Sequence, residues 1–398
     1  MTALGLIGIL LSLAGFRFAR VSESRARFGL FALLLIAHLG ATVGYYLYAQ
    51  EFGGDVLMYY YDPYGVYGRY TGLSTVFLIN FTQTLKETIG GSFFDYFLLF
   101  QAMGFWGILF VLRTFDDVHK ELGRPLFSRV YLLLFLPGLH FWTSAIGKDS
   151  PLFLAVAMCT WAGFRLQSRY PAFVAGLVIA LLIRPHIALI ALIALSLTIL
   201  LEPRTRLIIR IALLAVSLAC TLSVGGLVES SFNGLNLSNA DSVSDFLATR
   251  SGVSEEAGGD VSIVSASFPV KLISLLFRPF FVDAAGAMGY LASIENVVLL
   301  IVVGTLLWRF RSSLNVARRA LFARFSMLFF VLLTVLLAMV NYNIGLGLRQ
   351  KMMMMPALLV FYASLMAVRA AQRQMVYGPP PGAYAGGPVA VTSYRGAA

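Results

Sequence analysis

Apolar runs of membrane-spanning length recur along this chain, at roughly 2–17, 28–49, 93–112, 130–147, 150–166, 171–184, 187–201, 207–227, 290–308, 324–341 and 352–368. Crossing the hydrocarbon layer takes about 20 apolar residues in a helix, somewhat fewer where the bilayer thins or neighbours shelter the segment. Backbone groups in lipid must be satisfied within the segment, so continuous apolar runs predict helices. A membrane barrel would instead show alternating segments of about ten residues. The pattern therefore predicts an all-α, polytopic transmembrane helix bundle of about eleven spans, filling residues 1–372. Thr2–Phe16 lacks the basic start and small-residue cleavage site of a signal peptide and is expected to be the first span.

Two long connections interrupt the pattern, 50–92 and 228–289. The first opens with EFGGDVLMYYYDPYGVYGRY and continues into Leu73–Ile89, which has the character of an interfacial helix. Its tyrosines suit a headgroup boundary; they equally suit sugar stacking, with Tyr59 and Tyr60 as ring platforms and Asp62 as a hydroxyl acceptor. The second is polar and acidic over Glu229–Phe268, then becomes FPVKLISLLFRPFFVDA, an amphipathic helix expected to lie in the interface and break at Pro279. Residues 373–398, with PPPGAYAGG, have no core-forming pattern and are expected to be a disordered cytoplasmic tail.

Charge gives the orientation. With the linker after the first span placed on the cytoplasmic side, alternation puts 21 of the 30 lysines and arginines inside. The net charge of +11 is therefore topological and does not point to nucleic acid. The expected arrangement is a multi-pass membrane protein, N-terminus outside and C-terminus cytoplasmic. Cys159 and Cys220 fall inside apolar runs, with neither metal nor disulfide spacing. No metal signature, Walker loop, nucleophile elbow or dinucleotide fingerprint appears, and no cofactor is expected.

The cations left outside are concentrated at span ends. Lys148 closes FLPGLHFWTSAIGKDS, Arg184 and His186 sit in LLIRPHIAL, Arg278 lies in the interfacial segment, and Arg349 and Lys351 precede the last span. Ionisable groups at this depth are costly and are functional candidates by default. Arginine offers a planar fork to phosphate oxygens and lysine a compact charge, so Arg184, His186, Arg278, Arg349 and Lys351 are expected to bind a polyprenyl phosphate or pyrophosphate headgroup. Taken singly, each is equally explained by snorkelling or by an outer carboxylate partner. His186 could also shuttle a proton, or simply face water in a tight turn. Asp55, after Gly53-Gly54, and Asp149 are candidates for orienting or deprotonating an acceptor hydroxyl. Asp149 also suits a helix cap ahead of Pro151.

Four segments carry a family likeness: GGDVLMYYYDPYG, FLPGLHFWTSAIGKDSPLFLA, LLIRPHIALIAL and NYNIGLGLRQKMMMMP. In these the chain resembles bacterial polysaccharide polymerases of the EpsG and Wzy type, and more loosely the GT-C membrane glycosyltransferases. The resemblance implies that the membrane is a bacterial inner (plasma) membrane, and it implies transfer of a sugar or oligosaccharide from a polyprenyl-linked donor to an acceptor glycan in envelope polysaccharide synthesis. It implies a catalytic trio of Asp55, Lys148 and Asp149, with a lipid-linked oligosaccharide, membrane lipids and other polysaccharide assembly proteins as partners. A flippase for lipid-linked sugars and a non-catalytic assembly subunit are the competing readings.

Overall fold

A computed structural model describes residues 2–121, 129–202, 205–231, 265–284, 286–341 and 343–377, with 241, 245, 249 and 263 as isolated positions. Its described elements are all helical. In chain order they are α1 (Ala3–Phe18), α2 (Arg25–Phe52), α3 (Asp55–Tyr61), α4 (Thr75–Thr88), α5 (Phe93–Glu121), α6 (Pro137–Trp142), α7 (Asp149–Phe164), α8 (Leu166–Ile183) and α9 (Pro185–Leu200). There follow α10 (Leu207–Ser231), α11 (Phe268–Phe277), α12 (Gly286–Trp308), α13 (Phe310–Arg319), α14 (Leu321–Val340), α15 (Ile344–Gln350) and α16 (Met355–Tyr377).

Five helices are long and apolar enough to cross a membrane: α2, α5, α8, α12 from Met288, and α14. A sixth crossing results if Ile344–Met353 and Met355–Ala370, bent by 58° at Met354, count as one. Helices α1, α7, α9 and α11, with Leu207–Cys220 of α10, are apolar but shorter. The structure thus supports a multi-pass membrane protein with five or six long crossings among its described residues.

The core is built on α5, which buries 89% of its most apolar stretch, against 28% for α2 and 22% for α8. α5 packs against α1, α2, α7 and α16, while α2 and α8 turn most of their apolar surface outward. Local sequence explains the helix breaks. Ser24 caps α2 by accepting from Arg27 N at 3.1 Å. Pro185 occupies the first turn of α9 and leaves Arg184 extended (φ −147°, ψ 88°), so α8 and α9 meet at a sharp corner.

Three expectations need correction. The apolar run 130–147 is not one span: it divides into a 3-10 turn (Arg129–Phe135), the short α6, and a turn over 143–148. Pro137 causes the break by holding Leu136 extended (ψ 126°). The irregular backbone is sheltered among buried Val130, Tyr131, Leu134 and Leu139, with Gly138 N donating to Glu295 and Leu134 O facing the His140 ring. The connection 50–92 is largely helical, with α4 at the place of the expected interfacial helix. Helix α16 continues to Tyr377, past the expected tail boundary at 372; the rest of that tail, and the acidic stretch before 263, lie outside the described residues apart from the isolated positions.

Segment 268–284 does form a short helix that ends before Pro279. It buries Ser274, Leu275 and Leu276 against the bundle, with Phe268, Val270 and Ile273 exposed on its other side.

The buried and half-buried ion pairs fall into two groups. Arg27 pairs with Asp116, Arg169 with Asp117 (2.7 Å) and Arg324 with Glu202 (3.2 Å), all at the basic end. Arg349 pairs with Asp55 and Asp149, and Arg278 with Asp283, all residues predicted for the opposite face. Partners in each of these pairs come from the same predicted face.

Candidate functional site

Four segments, far apart in sequence, meet at the end opposite the basic one. α2 ends at Gly53 and Gly54, both at positive φ (+74° and +117°), and this reversal delivers Asp55 at the start of α3. The turn 143–148 delivers Lys148 and Asp149 to the start of α7. The α8–α9 corner brings Arg184, and the last turn of α15 brings Arg349.

Close backbone packing positions the turn 143–148. Gly104 of α5 lies so near it that a Cβ there would stand 1.9 Å from the Thr143 carbonyl oxygen. Ser150 Oγ donates to Ala145 O at 2.8 Å and closes the turn from the other side. Gly147 has φ +154°, and a Cβ on it would lie 3.5 Å from the Tyr59 ring and 3.6 Å from Arg349 Nη2, so Tyr59 and Arg349 flank the turn.

Arg349 is the centre of this arrangement. Its Nη1 donates to Asp55 Oδ2 at 2.5 Å and its Nε to Asp149 Oδ2. Arg184 Nη2 reaches Asp149 Oδ1 only at 3.9 Å, beyond hydrogen-bond distance, and that oxygen is buried without a hydrogen-bond partner. Asp149 is 6% exposed and Asp55 52%, so one carboxylate is interior and the other faces outward. Lys148 has no hydrogen bond or ion pair among the described residues, although it lies within electrostatic reach of Arg184, Arg349, Asp55 and Asp149.

Burial alone would raise the Asp55 pKa; Arg349, Lys148 and Arg184 outweigh it and hold the carboxyl below its usual range. At Lys148 burial, then the neighbouring Arg184 and Arg349, bring the ammonium down to about 7 against the pull of Asp55 and Asp149. Three cations therefore face two carboxylates, and the carboxylates are largely spent on Arg349. The N-termini of α7 and α9 meet the cluster at Lys148 and Arg184 and add their positive dipole ends. The unspent capacity, an unpartnered ammonium beside a loosely paired guanidinium, fits an anion with several oxygens.

The remaining predicted residues separate. His186 lies in the first turn of α9, near Arg184 and Lys148. Tyr59 is buried beneath the site at 1% exposure. Tyr60 donates its hydroxyl to Gly91 O at 3.0 Å, with Lys86 Nζ 4.2 Å from its ring centre. Asp62 accepts from Val66 N and Tyr67 N at 2.9 and 2.8 Å and so folds the loop after α3. Of the expected outer cations Lys148, Arg184, Arg278 and Arg349, three meet here. Arg278 instead pairs with Asp283 at 2.5 Å across a five-residue loop.

Lys351 is wholly buried, donating to Asn296 Oδ1 and reaching toward Arg278 O at 3.5 Å. Asn296 Nδ2 donates to Pro279 O at 2.6 Å, and Glu295 Oε2 accepts from Gly138 N at 2.5 Å. This second polar group lies inside the bundle. Neither Asn296, a neutral side chain in an apolar run, nor the Glu295–Gly138 contact gave a signal in the sequence. His38 touches His140, a contact between residues 102 positions apart.

Among the described residues, no group of three or more His, Cys, Asp or Glu side chains is placed to hold a metal ion. Comparison with protein-family models, curated proteins and solved structures gives no match. The functional reading rests on the residues.

Proposed function

We propose that this protein is a membrane-embedded transferase that moves a sugar or oligosaccharide from a polyprenyl-(pyro)phosphate donor to an acceptor glycan in cell-envelope polysaccharide synthesis. One observation carries the reading: Lys148, Arg184 and Arg349, from three separate segments, meet around Asp55 and Asp149, and Lys148 has no hydrogen bond or ion pair among the described residues. The likeness of the four motif segments to the EpsG and Wzy type polymerases supports it. In this reading the cluster lies on the outer face of a bacterial plasma-membrane protein, and shorter apolar helices add crossings to the five or six long ones.

In this mechanism Lys148 and Arg184 take the donor phosphate, and Arg349 acts mainly as the clamp that holds both carboxylates in place. The acceptor hydroxyl oxygen attacks the anomeric carbon while the bond from that carbon to the phosphate oxygen breaks, and the phosphate leaves with the electron pair. Lys148 and Arg184 stabilise the charge that grows on it. Asp55, kept ionised by Arg349, orients the acceptor hydroxyl and takes its proton late, once the new bond has made that oxygen acidic.

The test is turnover by purified protein in lipid nanodiscs with a polyprenyl-diphosphate sugar donor. Donor consumption with release of the lipid phosphate is expected, and Lys148→Met should abolish it. Binding without cleavage, or movement of intact donor across a vesicle membrane, would replace the transferase with a carrier. Neither binding nor turnover would leave an assembly subunit.

A further inference from the structure

His38 of α2 and His140 of α6 are buried (0% and 3% exposed), and their Nδ1 atoms lie 3.2 Å apart. The other nitrogen of each ring faces a backbone carbonyl: His38 Nε2 lies 3.0 Å from Gln101 O, and His140 Nε2 lies 2.8 Å from Leu134 O. A carbonyl oxygen only accepts, so both Nε2 atoms must carry hydrogen. A neutral imidazole has one N–H, and that hydrogen is then committed to the carbonyl on each side. Two neutral rings would therefore bring two bare Nδ1 lone pairs together at 3.2 Å.

We propose that His38 and His140 form a proton-binding site, sharing one proton as Nδ1–H···Nδ1 so that the pair carries three ring hydrogens and one positive charge. Every nitrogen is then satisfied, as burial requires. The surrounding helices place mostly uncharged groups around the pair. On α5 Gln101 is neutral, its Nε2 donating to Ser12 Oγ of α1 at 2.8 Å. Thr42 of α2 returns its hydroxyl to His38 O at 2.8 Å, and the rings of Phe105 and Phe135 lie beside the pair. On α12 the Glu295 carboxyl accepts from Gly138 N, two residues from His140, and its charged neighbour is the buried Lys351 ammonium.

The site joins the two segments that deliver the outer cluster. From His38, α2 runs on to Asp55, with Tyr45 stacked on Phe141 at 4.5 Å and 16°. From His140, α6 runs into the turn that ends at Lys148. The shared proton therefore fastens α2 to α6, and its loss sets two lone pairs against each other at that joint. This inference does not depend on the transferase reading.

The experiment is solid-state NMR of the full chain in lipid bilayers with ring-¹⁵N histidine at pH 7. The chain has four histidines, and His119→Gln and His186→Gln variants assign the other two. The proposal expects three protonated and one bare ring nitrogen from His38 and His140, with a cross-peak joining the two Nδ1 atoms. His140→Phe should return His38 to a single N–H on Nε2. One proton on each ring in the wild-type spectrum would overturn the proposal, whether or not the variant folds. When the third proton is titrated away, backbone hydrogen exchange over 143–149 should rise; unchanged exchange would refute the fastening role.

Discussion

Replacing Arg349 by Met removes a guanidinium that serves two carboxylates, and the two losses differ. Asp55 is 52% exposed, so water takes over and the pair is worth only about 0–1 kcal/mol. Asp149 is 6% exposed and already has one oxygen without a hydrogen bond; Arg184 stands 3.9 Å away and compensates in part. Breaking a buried pair from one side costs about 3–5 kcal/mol, and the Arg184 approach places Arg349→Met toward the lower end, about 3 kcal/mol. The assay is thermal unfolding in detergent followed by tryptophan fluorescence, for Arg349→Met, Asp149→Asn and the double variant. Because the penalty is a stranded charge, Asp149→Asn should recover most of it in the Arg349→Met background, a coupling of roughly 2 kcal/mol in the double-mutant cycle. Additive losses, or an Arg349→Met protein as stable as the wild type, would refute the clamp.

Lys148→Met should not lower thermal stability, because no described partner is lost, yet it should weaken binding of polyprenyl phosphate by roughly tenfold to a hundredfold, the value of about 1.5–3 kcal/mol for a charge-assisted hydrogen bond; lipid-binding titration in nanodiscs checks both halves. With the Lys148 ammonium near 7, its charge is present below that pH and lost above it, so wild-type affinity should fall between pH 6 and 8.5 while Lys148→Arg stays flat. Gly104→Val drives a side chain into the Thr143 carbonyl and should cost about 1–3 kcal/mol or more in unfolding experiments, whereas Gly29→Ala, which meets nothing within 4 Å in α2, should be neutral or gain up to about 1 kcal/mol. Asp116→Asn at the opposite end strands Arg27 and weakens the Tyr131 hydroxyl bond of 2.8 Å; it should destabilise without changing phosphate-lipid affinity, which separates the two ends.

What the sequence revealed follows from the range of each interaction. The breaks at Pro185 and the Gly53-Gly54 pair were legible because both act on their own neighbours, whereas the Ser24 cap of α2 went unread. Lys148, Arg184 and Arg349 stood out because cations at apolar segment ends are anomalous one at a time. Their partners did not stand out: Arg349 meets Asp149 and Asp55 across 200 and 294 positions, and hydropathy carries no trace of that. Arg278 had the same local signature, and only the loop fold sends it to Asp283. The run 130–147 misled because composition dominated Pro137, whose effect depended on surrounding helices able to shelter a broken segment. The His38–His140 contact joins two residues that look unremarkable alone.

The central claim is that the unpartnered charge at the Asp55–Asp149 cluster receives a lipid-borne phosphate. Its most direct measurement is equilibrium binding of a polyprenyl monophosphate and of the matching uncharged polyprenol to the protein in nanodiscs, repeated with Lys148→Met/Arg184→Met. The account predicts that the wild type prefers the phosphate at least tenfold over the alcohol and that the double variant binds both alike. Equal binding of the two lipids by the wild type, or an undiminished preference in the variant, would contradict it.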